Sequence, residues 1–169
     1  MSRIATLPAG TDIFIDSNIF VLATHATGPL GQACKALLER VRHGELQGYT
    51  STLVTAEVIH RFLVKEAQDQ MGFASSRETV EHLQQHPETV RRFKQHIGVA
   101  SEMRQMQVDI LPVTVKDLHA SKSARADHGL LANDSLIVGV MRGRKLRHLA
   151  THDSGFLRVP SLAVWMPGT

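Results

Sequence analysis

An α/β fold, with a mainly parallel sheet covered by helices on both faces, is predicted by three features of the sequence. Short apolar runs alternate along the chain with segments whose apolar residues recur at helical spacing, the pattern of a wound parallel sheet. The run Ile13-Phe14-Ile15 ends on a carboxylate, Asp16, and reopens at once as a helix-like segment. The chain has 169 residues, 43% of them hydrophobic, which suits one domain able to bury its own core without disulfides or structural metal.

Ile13-Phe14-Ile15 reads as a buried strand, apolar towards both faces of a sheet. Asp16, beside Ser17 and Asn18, then stands at its C-terminal end, where open α/β sheets bind ligands. A carboxylate there either caps the following helix or contributes oxygen to a hard divalent cation. Gly28-Pro29 opens a helix carrying Ala33, Leu37, Leu38 and Val41 on one face and ending at Gly44. Residues 46–50 suit a second strand, and Ser51 or Thr52 caps a helix from Leu53 to about Ala67. Glu57 lies beside the apolar stripe of that helix, formed by Val54, Val58, Ile59, Phe62 and Leu63.

Residues 68–106 differ in being Gln-rich and charged, and they contain the turn cluster Gly72 to Ser76. This segment reads as a helical insertion, with one helix from Ser75 or Ser76 to Gln85 and a second running from Pro87 to Met106. His82 and His86 share a helix face at metal-ligand spacing, but Glu81 precedes the pair rather than lying within it, and an exposed helix end is the favoured reading.

Residues 108–113 form a third expected strand, followed by a helix capped at Thr114 and extending to about Ala126. Residues 131–141 form a helix apolar over most of its circumference, with Asp134 in its first turn, where the helix dipole favours a negative charge. The basic run Arg142, Arg144, Lys145 and Arg147 leaves this helix either as a solvated terminus or as phosphate contacts. Strands over 146–150 and 162–165 complete the chain, and Thr151-His152-Asp153 follows the first of them.

In a parallel sheet of this kind Asp16 and Asp153 follow strands at one edge, Asp134 opens a helix arriving there, and Glu57 sits early in a helix leaving it. Converging carboxylates repel one another unless protons or cations neutralise them. An oxygen-only set of this kind suits Mg²⁺ or Mn²⁺.

Four motifs in this order resemble the PIN domain family, and more narrowly its VapC-type toxins from prokaryotic toxin-antitoxin pairs. They are Ile15-Asp16-Ser17-Asn18, Thr55-Ala56-Glu57-Val58, Asn133-Asp134-Ser135-Leu136-Ile137 and Thr151-His152-Asp153-Ser154-Gly155-Phe156. The likeness covers nearly the whole chain except 68–106, a stretch longer than compact toxins carry there. It implies a three-layer α/β/α PIN-like fold with a five-stranded central sheet, one PIN domain over residues 1–169. It also implies a metal-dependent endoribonuclease with Asp16, Glu57, Asp134 and Asp153 at the acidic positions, as catalytic and metal-holding groups, and Asn18 and Thr151 in support. Hydrolysis would leave a 5′-phosphate and a 3′-hydroxyl. An RNA substrate, a small antitoxin and a homodimer are the implied partners. Arg91, Arg92, Arg142, Arg144, Lys145 and Arg147 are candidates for RNA backbone contacts.

The alternatives belong to other classes. A housekeeping PIN nuclease of RNA processing shares the same site, and a PIN-like binding module shares the fold alone. A Mg²⁺-binding signalling receiver expects a lysine after a late strand, but no Lys follows Lys145. A phosphatase with paired aspartates is weakened by Asn18 standing at the second position. Aromatic residues amount to only 5%, which disfavours recognition by base stacking. The single cysteine, Cys34, excludes an intramolecular disulfide, and with no signal-peptide pattern or membrane-spanning run the expected location is cytoplasmic.

Overall fold

The computed structural model describes residues 2–168. Among the described residues the strands are β1 (Ser2–Arg3), β2 (Asp12–Ile15), β3 (Gln47–Ser51), β4 (Val108–Leu111), β5 (His148–Ala150) and β6 (Ala163–Met166). They form one sheet in the order β1-β6-β5-β2-β3-β4, every neighbouring pair parallel. The five expected strands are thus joined by a two-residue edge strand, β1, which pairs with β6. The sequence offers no pattern long enough to announce it.

Ile13, Phe14 and Ile15 have no exposed surface, because β2 lies inside the sheet between β3 and β5 with helices above and below it. From β2 the chain winds outward through β3 to β4, then returns to the other side of β2 for β5 and β6. With right-handed crossovers, this reversal places the connecting helices on opposite faces. One layer contains α1 (Ser17–His25), α2 (Gly28–Arg42) and α3 (Thr52–Met71), packed with one another. The other contains α7 (Val115–Ala120), α8 (Lys122–His128) and α9 (Ala132–Gly143). Cys34 is fully buried in the first layer, and burial pushes its thiol up to about 11, so it is a core residue. No helix among the described residues is long and apolar enough to cross a membrane.

The expected helix from Pro87 to Met106 is two helices, α5 (Pro87–Arg92) and α6 (Val99–Gln105), preceded by α4 (Ser76–Gln85). The break has a physical cause. Phe93 takes an extended conformation and turns its ring into a small second core with Ala67 and Leu83. The Glu66 carboxylate, buried on α3, accepts hydrogen bonds from the N–H groups of Lys94 (3.1 Å) and Gln95 (3.0 Å). α3 itself runs on to Met71, four residues beyond the expected end, and this extension presents Ala67 to Phe93. α6 belongs to the main core through Val99 and Met103.

A second expected helix, from Thr114 to Ala126, bends at Ser121 into α7 and α8. α9 packs so closely there that a Cβ on Gly139 would lie 2.3 Å from the carbonyl oxygen of Asp117. That approach fixes the height at which α9 presents its first turn.

Glu66→Ala would remove the charged acceptor that the N–H groups of Lys94 and Gln95 share, so a loss of about 1–3 kcal/mol is expected in chemical denaturation. Hydrogen exchange should accelerate at residues 93–95 while strand β2 stays protected. Unchanged exchange there would show that the carboxylate does not hold the turn.

Candidate active site

The reversal of winding lies between β2 and β5, and a crevice opens at the C-terminal ends of these two strands, as open sheets of this kind require. Asp16 is the residue after β2 and Thr151 the residue after β5. Both are buried. The Asp16 carboxylate is fixed by three donors: the N–H of Ser17 (2.7 Å) to Oδ1, and the Asn18 amide (2.5 Å) and Thr151 hydroxyl (2.7 Å) to Oδ2. Thr151 also accepts from the backbone N–H of Asp153 (3.0 Å), and Asn18 accepts from that of His152 (2.7 Å). The loops after the two strands are thereby tied through side chains.

Ser51 caps α3 by accepting from Val54 N–H, which starts that helix at the same sheet edge and brings Glu57 to the crevice in its second turn. α9 runs back across the sheet towards β5, so its first turn, with Asp134, also arrives at this edge. Asp16, Asn18, Glu57, Asp134 and Asp153 line one open cleft of about 410 Å³. Thr151 is not at its surface; it holds Asp16 from beneath.

Burial holds the Asp16 carboxyl above the usual carboxylate range, against the lowering effect of the Thr151 and Ser17 hydrogen bonds, with the charges of Glu57 and Asp134 adding to the rise. Asp134 is raised as well, by burial first and then by Asp153 and Glu57, while Arg158 opposes the shift. Glu57, Asp134 and Asp153 thus each raise the proton affinity of a neighbouring carboxylate in the cleft. A hard cation relieves that repulsion, and the donor set is all oxygen, so the residues fit Mg²⁺ or Mn²⁺. Among the described residues no three His, Cys, Asp or Glu side chains close around a single point. A Mg²⁺ ion needs only one or two protein carboxylates, its other positions being filled by water or phosphate oxygens, so this spacing does not conflict with that fit.

The other expected contacts are elsewhere. α9 spans roughly 18 Å at 1.5 Å per residue, and its C-terminal end lies at the opposite edge of the sheet from Asp134. Arg142, Lys145 and Arg147 line a separate hollow there with Leu146, Ser161 and Leu162. Arg144 is committed to Asp117 (2.5 Å) and the carbonyl of Pro112 (2.8 Å). Arg91 and Arg92 are exposed on α5, outside the cleft. Conversely, Ser17, Arg61, His152 and Ser154 line the cleft without having been singled out from sequence. The available signal for Arg61 was its position one helical turn after Glu57.

The sequence pattern of the PIN domain matches residues 13–162. The chain belongs to the PIN domain family. Ribonuclease VapC2 of Methanocaldococcus jannaschii is 25% identical over 152 residues, covering 90% of this chain and 91% of that protein. Among solved PIN-type structures, Mycobacterium tuberculosis VapC20, a sarcin-ricin loop cleaving toxin, aligns at a TM-score of 0.56 with 14% identity, over 88% of this chain and 95% of that one. VapBC2 of Rickettsia felis, bound to a DNA fragment from its promoter, aligns at 0.54 with 16% identity, over 91% and 97%. These structures share the three-layer PIN fold.

The sign of the pH effect at Asp134 follows from its raised folded pKa. Between the unfolded value and the folded one the native state holds the proton more tightly, so stability falls as pH rises through that window. Asp134→Asn is therefore expected to melt at a higher temperature than the parent at neutral pH, with the advantage shrinking as pH falls towards the ordinary carboxylate range. Millimolar Mg²⁺ or Mn²⁺ should raise the parent's midpoint at neutral pH more than the variant's. Calorimetric scans showing equal metal shifts in both would remove Asp134 from the cation site.

Proposed function

We propose that this protein is a Mg²⁺- or Mn²⁺-dependent endoribonuclease that hydrolyses RNA phosphodiester bonds, acting as the toxin of a type II toxin-antitoxin pair. The observation that carries the reading is the convergence of Asp16, Glu57, Asp134 and Asp153 from four separate elements on one open cleft. Membership of the PIN family and likeness to a protein named a ribonuclease support it. The partner assignment draws support from likeness to toxin-antitoxin assemblies, including one from Klebsiella pneumoniae at a TM-score of 0.52.

In this proposal Asp16, Asp134 and Asp153 would share one or two cations, no three of them closing on a single point, and Glu57 would complete a second ion's surroundings or orient the attacking water. When bound, the ion neutralises the entering phosphate and acidifies a water for attack. The protein's own part is positional. Asp16 is held by Ser17, Asn18 and Thr151 before any ligand arrives, so little reorganisation is needed on binding. The cleft is open enough to admit an extended strand, and the backbone it reads is common to all RNA. Residues 1–169 act as one PIN unit with 68–106 inserted, in the cytoplasm, as a homodimer held silent by a small antitoxin. Arg91 and Arg92, exposed on α5, and Arg142, Lys145 and Arg147, at the far end of α9, are proposed to contact the RNA backbone away from the cleft.

End-labelled total RNA incubated with the purified protein is expected to be cut with Mn²⁺ or Mg²⁺ and left intact in EDTA. Asp16→Asn should reduce cleavage to background. Thr151→Val, which leaves the carboxylates in place and removes a donor to one of them, should lose roughly 10–100-fold. Cleavage by Asp16→Asn at the parental rate would refute the site.

A further inference from the structure

The acidic cleft is lined by one arginine among the described residues, Arg61, and it is bonded far more loosely than Arg40 or Arg144. Arg40 is held by Glu45 (2.5 Å and 2.8 Å) and by the carbonyl of Leu7 (2.5 Å). Arg144 is held by Asp117 and Pro112 at 2.5 and 2.8 Å. Arg61 meets the Ser17 hydroxyl only at 3.4 Å, and Glu57 Oε1 stands 3.8 Å away, beyond hydrogen-bond reach. A guanidinium offers five N–H donors in a fork that matches phosphate oxygens. Most of those of Arg61 are unspent, and its side chain is 41% exposed. It therefore stands in the cleft wall as a cation held near Glu57 by charge and barely restrained by geometry.

We propose that Arg61 binds the RNA backbone directly, donating to a non-bridging oxygen of the phosphate that enters the cleft and leaving Glu57 as it does so. This inference rests on the nuclease reading. The contact pays for bringing a polyanion beside four carboxylates, and it does so without reading a base. It also separates two roles on one face of α3. Glu57 serves the reacting end and Arg61 the strand, one helical turn apart.

The alternative is that Arg61 only positions Glu57 or Ser17, and the salt dependence of binding separates the two. Binding of a single-stranded RNA is measured in Mg²⁺ across a salt series, in an Asp134→Asn background that suppresses turnover. Arg61→Ala is expected to weaken binding at low salt by roughly tenfold or more and to reduce the slope of log affinity against log salt by about 0.7, the value for one phosphate contact on a single strand. Arg61→Lys should keep the slope. In the Asp134-containing protein, Arg61→Lys should recover only part of the cleavage rate, because an ammonium lacks the fork. Arg61→Gln, which retains a donor for Ser17, gives the same comparison should the alanine variant lose its fold. An unchanged slope in Arg61→Ala or Arg61→Gln, with cleavage nonetheless reduced, would overturn the proposal and assign Arg61 to positioning. A parent protein that neither binds nor cuts RNA would overturn this inference and the nuclease reading together. A parent that cuts RNA while the slope stays unchanged overturns Arg61 alone.

Discussion

The structure turns on a carboxylate buried where the sheet changes its direction of winding. An ionised group out of water is costly unless it is bonded, and Asp16 is given three donors, drawn from both of the chain segments that meet there. These bonds join residues far apart in sequence: Thr151 and Asp16 are 135 positions apart. They do not complete the compensation, since the folded protein still holds the Asp16 proton more tightly than water would allow. The deficit comes from burial, with a contribution from neighbouring carboxylates that the same topology delivers to the same edge. What remains unsatisfied is a demand for positive charge, located where a ligand can supply it.

Much of this was legible in the sequence because it depends on short-range patterns. Ile13-Phe14-Ile15 followed by Asp16 names a buried strand and the group at its end, and Ser51 and Ser75 cap helices within three residues of themselves. Once parallel strands alternate with returning helices, strand ends and helix starts meet at one edge, and Asp16, Glu57, Asp134 and Asp153 all belong to such positions. The misjudged elements depend on distant partners. The interruption after Arg92 is made by Glu66, nearly thirty residues earlier, and the bend at Ser121 by the close approach of Gly139. Both segments look continuous when only helical spacing is weighed. The basic run after α9 is a related case. Its charge is plain in the sequence, but its distance from the carboxylates emerges only when α9 is laid across the sheet.

Residues 68–106 are less of an appendage than their composition suggests. Phe93 builds a small core against α3, and α6 puts Val99 and Met103 into the main one. The segment between them crosses the surface on a turn fastened by Glu66. This stretch is therefore bonded into the same helix layer that supports the cleft, and its loss would expose apolar surface from both cores.

α3 gives this attachment a mechanical meaning. It is continuous over twenty residues, about 30 Å at the usual rise. Its second turn carries Glu57 and its middle Arg61, while Glu66 and Ala67 further on hold the turn around Phe93. The turn at residues 93–95 and the carboxylate of Glu57 are thus fastened to one unbroken helix.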